Sequence, residues 1–166
     1  MPELCGFKGF AIFADGDMIC KADIAELWAL RDPTKAVQVV KHDYRTKYPK
    51  KYLGARNDDY PRKNWSSLIL WNCGHFAHQH PHKELTAERV AKMANADLHR
   101  FAWIKDEHIG ELPKEWNHLV LEQPPNPDAK LLHYTVGTPC FEDYRHSPSA
   151  HFWHESHHRL NEPTGI

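Results

Sequence analysis

Phe7-Lys8-Gly9-Phe10-Ala11-Ile12-Phe13-Ala14-Asp15-Gly16-Asp17 decides the fold. From Phe7 to Phe13 the stretch is short, apolar and aromatic, and it stops abruptly at an acidic pair around a glycine. That pattern reads as a buried strand ending in a turn. The pair Asp-Gly is also a common turn dipeptide, so on its own the tripeptide is an ordinary solvated turn.

Working outward, Asp23 is placed to cap a helix from Ile24 to Arg31, with Ile24, Leu27, Trp28 and Leu30 on one face and Asp32-Pro33 as its end. Ala36 to Lys41 reads as the next strand, and Ser66 to Asn72 as a strongly buried one. Between them, residues 42 to 64 form a long basic loop with Tyr44, Tyr48, Tyr52 and Tyr60 interleaved. Long loops in compact domains are usually functional or disordered. Thr86 caps a helix from Ala87 to Ala94. Trp116 to Leu121 and Leu131 to Val136 read as strands, and the segment from Ser147 as a loosely ordered tail. Strands separated by helical stretches imply an α/β domain over residues 1–145, followed by a His- and Pro-containing tail over 146–166. In such sheets ligands sit beyond the carboxyl ends of strands. Asp15-Gly16-Asp17 and Gly137 fall at such ends.

Composition sets bounds on function. The chain has 166 residues and a formal net charge of -1, so no overall field draws it to nucleic acid or to an anionic membrane. No apolar run approaches the roughly 20 residues a membrane span needs. The first residues lack a charged start with a long apolar stretch, which makes the cytoplasm the expected location. Cys5, Cys20, Cys73 and Cys140 are widely spaced and read as reduced thiols. Six tryptophans point to an aromatic core or a carbohydrate-contacting surface. His75, His78, His80 and His82, and again His151, His154, His157 and His158, are dense, but their spacing fits no zinc-finger pattern. They read as exposed histidines.

Two carboxylates flanking a glycine at a strand end can reach one hard cation from the same side, and oxygen ligands suit Mg²⁺ or Mn²⁺. His133, at the end of another strand, could add a nitrogen ligand, which favours Mn²⁺; alone it reads equally as a hydrogen-bonded core histidine.

The order of motifs adds to this. Phe-Ala-Asp-Gly-Asp-Met comes first, then Asn64-Trp65-Ser66-Ser67-Leu68-Ile69-Leu70-Trp71-Asn72. Asp106-Glu107 and Leu112-Pro113-Lys114-Glu115-Trp116-Asn117 follow, and Leu132-His133-Tyr134-Thr135-Val136-Gly137-Thr138-Pro139 closes the series. Over about residues 7 to 143 this resembles the glycogenin-like family of GT-A glycosyltransferases. The resemblance implies a partial GT-A mixed sheet with flanking helices and a Mn²⁺-dependent transfer, with retention, from a nucleotide-sugar, UDP-sugar by expectation, to an acceptor hydroxyl. It implies Asp15, Asp17 and His133 as metal ligands, and Ser66, Ser67 and Asn72 on the donor side. Gly137 would leave room for the diphosphate, and Asp106 and Glu107 would be the catalytic pair lining the donor sugar and acceptor, Asp106 foremost. The chain departs from the family in two of these segments. The acidic segment is Asp-Glu-His rather than Asp-Gln-Asp, and no lysine follows Gly137. An arginine or lysine of the 45–63 loop, Lys63 among them, could replace that lysine at the phosphates; the loop reads equally as a solvated basic surface. Only 14 residues precede Asp15, fewer than the roughly 30 of a strand-helix-strand unit, so this chain is a fragment, or a partner chain or second copy supplies the nucleotide-gripping part, or activity has been lost. The alternative is a non-catalytic assembly or sugar-binding module that keeps part of the fold.

Overall fold

The computed structural model describes residues 1–79 and 84–161. His80 and His82 of the first histidine group lie outside the described residues.

Two sheets form the frame. The first has four strands in the order β1 (Phe10–Ala14), β4 (Leu68–Asn72), β3 (Val37–Val39), β5 (Ile109–Glu111). β4 is antiparallel to both β1 and β3, and β5 runs parallel to β3. The second sheet has the order β2 (Met18–Cys20), β7 (Leu131–His133), β6 (His118–Leu119), with β2 antiparallel and β6 parallel to β7.

Central strands buried on both faces need continuous apolar runs. Leu68-Ile69-Leu70-Trp71 supplies one for β4, and its side chains alternate between two cores. Ile69 and Trp71 join Val37, Val39, Phe101 and Ile104 on one face. Leu68 and Leu70 join Leu27, Leu112, Trp116 and Leu131 on the other, between the two sheets. A third cluster, Val120, Ala129, Leu132 and Tyr134, receives Phe152 and Trp153.

The helices are short. In α1 (Ile24–Ala29), Asp23 accepts from the Ala25 N–H as expected of the cap. In α2 (Ala87–Lys92), Thr86 accepts from the Arg89 N–H. α3 (Asn95–His99) follows at once. The segment from Ser147 departs from expectation. It contains α4 (Ala150–Asn161), which is docked by its apolar pair Phe152 and Trp153, by Lys21 over the Phe152 ring at 4.7 Å, and by a Tyr134 hydroxyl that donates to the Ser149 carbonyl. The expected strand over Trp116 to Leu121 is a 3-10 turn, Lys114–Asn117, followed by the two-residue β6. None of the described helices is long and apolar enough to cross a membrane.

Two of the histidines are core residues. His78 is fully buried, with Nε2 against the Ala36 carbonyl at 3.1 Å and its ring beside Trp71. His75 is also buried and accepts from the Ala77 N–H. The described cysteines are all free thiols.

Candidate metal and sugar-transfer site

Asp15-Gly16-Asp17 is the connection between the two sheets: β1 ends at Ala14 and β2 begins at Met18. Backbone bonds pin both ends. The Asp15 N–H donates to the Ser67 carbonyl at 2.9 Å, and the Tyr134 N–H donates to the Asp17 carbonyl at 3.0 Å. In the second sheet Met18 pairs with His133. That register sets His133 beside Asp17. Ligand atoms of Asp15, Asp17 and His133 lie within 4.8 Å of one another. Gly16 has open space where a Cβ would stand, leaving one side of the loop clear.

Burial raises the pKa of Asp15, and the neighbouring Asp17 carboxylate adds to this while His133 opposes it. Burial also pushes Asp17 upward, but the neighbouring His133 ring, its own backbone N–H and Lys51 together outweigh burial and hold the carboxyl below its ordinary value. His133 Nε2 stands 3.3 Å from Asp17 Oδ1, within ion-pairing reach but not aligned as a hydrogen bond. Asp17 Oδ1 is thus a buried carboxylate oxygen with no hydrogen-bond donor among the described residues. Such an oxygen is costly unless something positive meets it. Two carboxylates and an imidazole around that oxygen fit a divalent cation of the Mn²⁺ or Mg²⁺ kind.

A buried polar network underlies the cluster. Asn117, fully buried, meets His133 Nδ1 through Oδ1 at 3.0 Å, and its amide donates to the Ser67 hydroxyl at 2.8 Å and the Asn64 carbonyl at 3.2 Å. Ser67, expected near the donor sugar, is buried in this network and donates to the Asn64 carbonyl at 2.7 Å. Ser66 instead meets His99 Nδ1 at 2.8 Å and lines, with Asp15, a cavity of about 370 Å³ walled by Phe13, Trp71 and Trp103.

The long loop is fastened by a second network. Glu122 is buried and accepts from the Thr46 hydroxyl, from the Lys47 N–H at 2.9 Å and from Asn57. Lys63, expected at the phosphates, is buried here: its ammonium donates to Asn57 Oδ1 at 2.8 Å and to the Asp58 carbonyl at 2.9 Å. Lys51 is the loop cation that senses the acidic pair. Burial and then Lys63 lower its pKa, while Asp17 and Asp15 oppose them. The near end of the loop, from His42 to Arg45, and the far end, from Asp59 to Lys63, enclose a polar cavity of about 420 Å³.

Other expected residues are not members of the cluster. Asn72 pairs with Phe10, at the opposite end of the β1–β4 pair from Ala14 and Leu68, about 14 Å away by strand rise, and donates to the Pro33 carbonyl. Glu107 is exposed and its carbonyl accepts from Lys35, at that same end. Asp106 is also exposed, paired with Arg62 at 2.5 Å. Gly137 is buried with the Tyr144 ring where its Cβ would be, 2.2 Å from Cδ2. Asn117, Asn64 and Glu122 were not among the expected site residues. The one sequence signal was a polar residue set directly after a buried aromatic, as in Trp116-Asn117.

No family model matches the chain. It is 42% identical over 157 residues to Protein CDI of Arabidopsis thaliana, a match that covers 92% of this chain and 59% of that protein. The chain therefore spans about three-fifths of that relative's length. Among solved structures it is similar to the galactosyltransferase LgtC in complex with donor and acceptor sugar analogs, with a TM-score of 0.56 at 14% identity, over 88% of this chain and 59% of that one. It is also similar to the glycosyltransferase GlyE of Streptococcus pneumoniae, with a TM-score of 0.50 at 14% identity, over 91% of this chain and 43% of the other. At such identity the likeness is one of fold. The mixed α/β architecture with mixed sheets and flanking helices matches the GT-A glycosyltransferase fold, as the motif order implied.

Proposed function

We propose that this chain is the metal-binding, sugar-transferring portion of a glycogenin-like nucleotide-sugar glycosyltransferase, with UDP-sugar as donor and Mn²⁺ as the preferred cation. The observation that carries it is the meeting of Asp15, Asp17 and His133 at the junction of two sheets in this fold. A divalent cation in such a site supplies charge neutralisation for a departing diphosphate, so no protein general acid is required at the leaving group. The acceptor hydroxyl forms the new bond to the anomeric carbon as the bond to the diphosphate oxygen breaks, and the hydroxyl proton passes to that departing oxygen.

Asp15 and Asp17 contribute the carboxylates and His133 the nitrogen. Lys51, half-buried and coupled electrostatically to the acidic pair, takes the phosphate-facing role that the missing lysine after Gly137 leaves open. Ser66 keeps a donor-side role because it lines the same cavity as Asp15. Asp106, held by Arg62, is preferred over Glu107 as the carboxylate lining the sugar and acceptor. Free cysteines suit a cytoplasmic setting.

Asp17→Ala is expected to abolish Mn²⁺-dependent hydrolysis or transfer from a UDP-sugar, and turnover unchanged in that variant would count decisively against the site. Calorimetric titration of UDP in the presence of Mn²⁺ separates this reading from that of a non-catalytic module. Metal-dependent UDP binding supports the transferase, and its absence supports the module.

A further inference from the structure

An imidazole ligates a metal only through a nitrogen that carries a lone pair, and which nitrogen does so is set by the bond the other makes. Around His133 that choice is dictated by a chain of hydrogen-bond polarities starting from a backbone carbonyl. The Asn64 carbonyl can only accept. The Ser67 hydroxyl donates to it at 2.7 Å, which uses the one hydrogen that hydroxyl has. Ser67 Oγ must then accept from its other neighbour, the Asn117 amide nitrogen at 2.8 Å. The same nitrogen donates to the Asn64 carbonyl at 3.2 Å. Flipping the amide would set carbonyl against carbonyl, so the nitrogen end of Asn117 faces Asn64 and Ser67. Its Oδ1 therefore faces His133 Nδ1, at 3.0 Å, and Oδ1 can only accept. Nδ1 must carry the hydrogen. In a neutral ring the lone pair is then on Nε2, the nitrogen 3.3 Å from Asp17 Oδ1.

We propose that Asn117 is a positioning residue that selects the Nδ1–H tautomer of His133 and so keeps Nε2 available to a cation shared with Asp15 and Asp17. This rests on the metal-site reading above. The selector is well held: Asn117, Ser67, Asn64 and His133 are all buried, and Asn64 Nδ2 donates onward to the Tyr44 hydroxyl at 2.7 Å. No member of the chain from the Asn64 carbonyl to Asn117 Oδ1 titrates, so the polarity does not reverse with pH.

The test combines a spectroscopic readout on the cation-free chain with a binding one. Nitrogen-15 NMR of His133 at about pH 8, where an ordinary imidazole is neutral, reports the tautomer. Mn²⁺ affinity is read from the free-ion signal in electron paramagnetic resonance. The wild-type chain is expected to show Nδ1 protonated. Asn117→Leu is expected to give a tautomer mixture and a loss of Mn²⁺ affinity of about 10- to 100-fold. Ser67→Ala is expected to leave both close to wild type, because the Asn64 carbonyl still accepts from Asn117. An Nε2–H ring in the wild-type chain overturns the proposal, and so does a pure Nδ1–H ring in folded Asn117→Leu. Should Asn117→Leu not fold, the wild-type tautomer decides. A wild-type chain with the Nδ1–H ring but no Mn²⁺ affinity overturns the metal-site reading while supporting the tautomer selection.

Discussion

Gly137→Ala separates two reasons for a glycine beside the candidate site. A Cβ at this position would stand 2.2 Å from Cδ2 and 2.3 Å from Cε2 of Tyr144. Ordinary carbon contacts lie near 3.5–4.0 Å, so the ring has to retreat by more than about 1 Å. Tyr144 is partly exposed, so some of that movement is available outward. Overpacking of this kind costs about 1–3 kcal/mol. For a chain of this size each kcal/mol corresponds to roughly 2–4 °C, so thermal denaturation followed by circular dichroism should show Tm lowered by about 2–12 °C. The double variant Gly137→Ala/Tyr144→Ala removes the obstacle. Its stability should exceed the sum of the single effects, with a coupling of about 0.5–3 kcal/mol. An undiminished alanine cost in the Tyr144→Ala background, or a Gly137→Ala chain as stable as wild type, would refute the packing argument. Calorimetry on the double variant then addresses the ligand. If the glycine also leaves room for a diphosphate, UDP binding with Mn²⁺ stays weak after stability is restored.

Two further predictions concern the buried polar groups. Burial lowers the pKa of His78 from 6.5 to about 4. As pH falls below 6.5 the unfolded chain takes up a proton that folded His78 refuses, so stability drops by about 1.4 kcal/mol per pH unit until about pH 4, roughly 3 kcal/mol in all. Urea midpoints across that window should fall less steeply in His78→Gln, and an unchanged slope would contradict the assignment. Asn57→Leu strips Lys63 of its amide oxygen and Glu122 and Thr46 of an amide donor. Lys63 keeps the Asp58 carbonyl and the Asp59 carboxylate at 3.7 Å, so the lost hydrogen bonds should cost about 1–3 kcal/mol in denaturant melts and release the 42–64 loop to limited proteolysis; an unchanged melt would show the network to be dispensable.

The strands that frame the site were legible because their signal is local. Leu68 to Trp71 is a short continuous apolar run, as a strand buried on both faces requires, and the apolar run to Phe13 stops within one residue of the end of its strand at Ala14. The acidic pair and His133 could be singled out for the same reason: each stands at a strand end, and the order of the surrounding motifs resembled a known arrangement. What was not legible depends on distant partners. A lysine in a basic loop looks solvated until Asn57 and the Asp58 carbonyl close around it, and a serine before a strand looks available until Asn117, 50 residues away, claims its hydroxyl. Strand direction also escaped. Ser67 and Asn72 belong to one apolar segment, yet the β1–β4 register sets Asn72 at the end away from Asp15. In the segment from Ser147, abundant histidine masked Phe152 and Trp153, whose burial against the third core cluster orders α4.

Because Asp15-Gly16-Asp17 joins an edge strand of one sheet to an edge strand of the other, and His133 belongs to the second sheet, a cation held by all three would be a rivet through the frame rather than a guest in a finished pocket. Its binding free energy would then add to folding free energy, by about 2.7 kcal/mol at a concentration one hundred times the Kd. Cation supply would govern how firmly the two sheets stay joined as well as whether sugar is transferred.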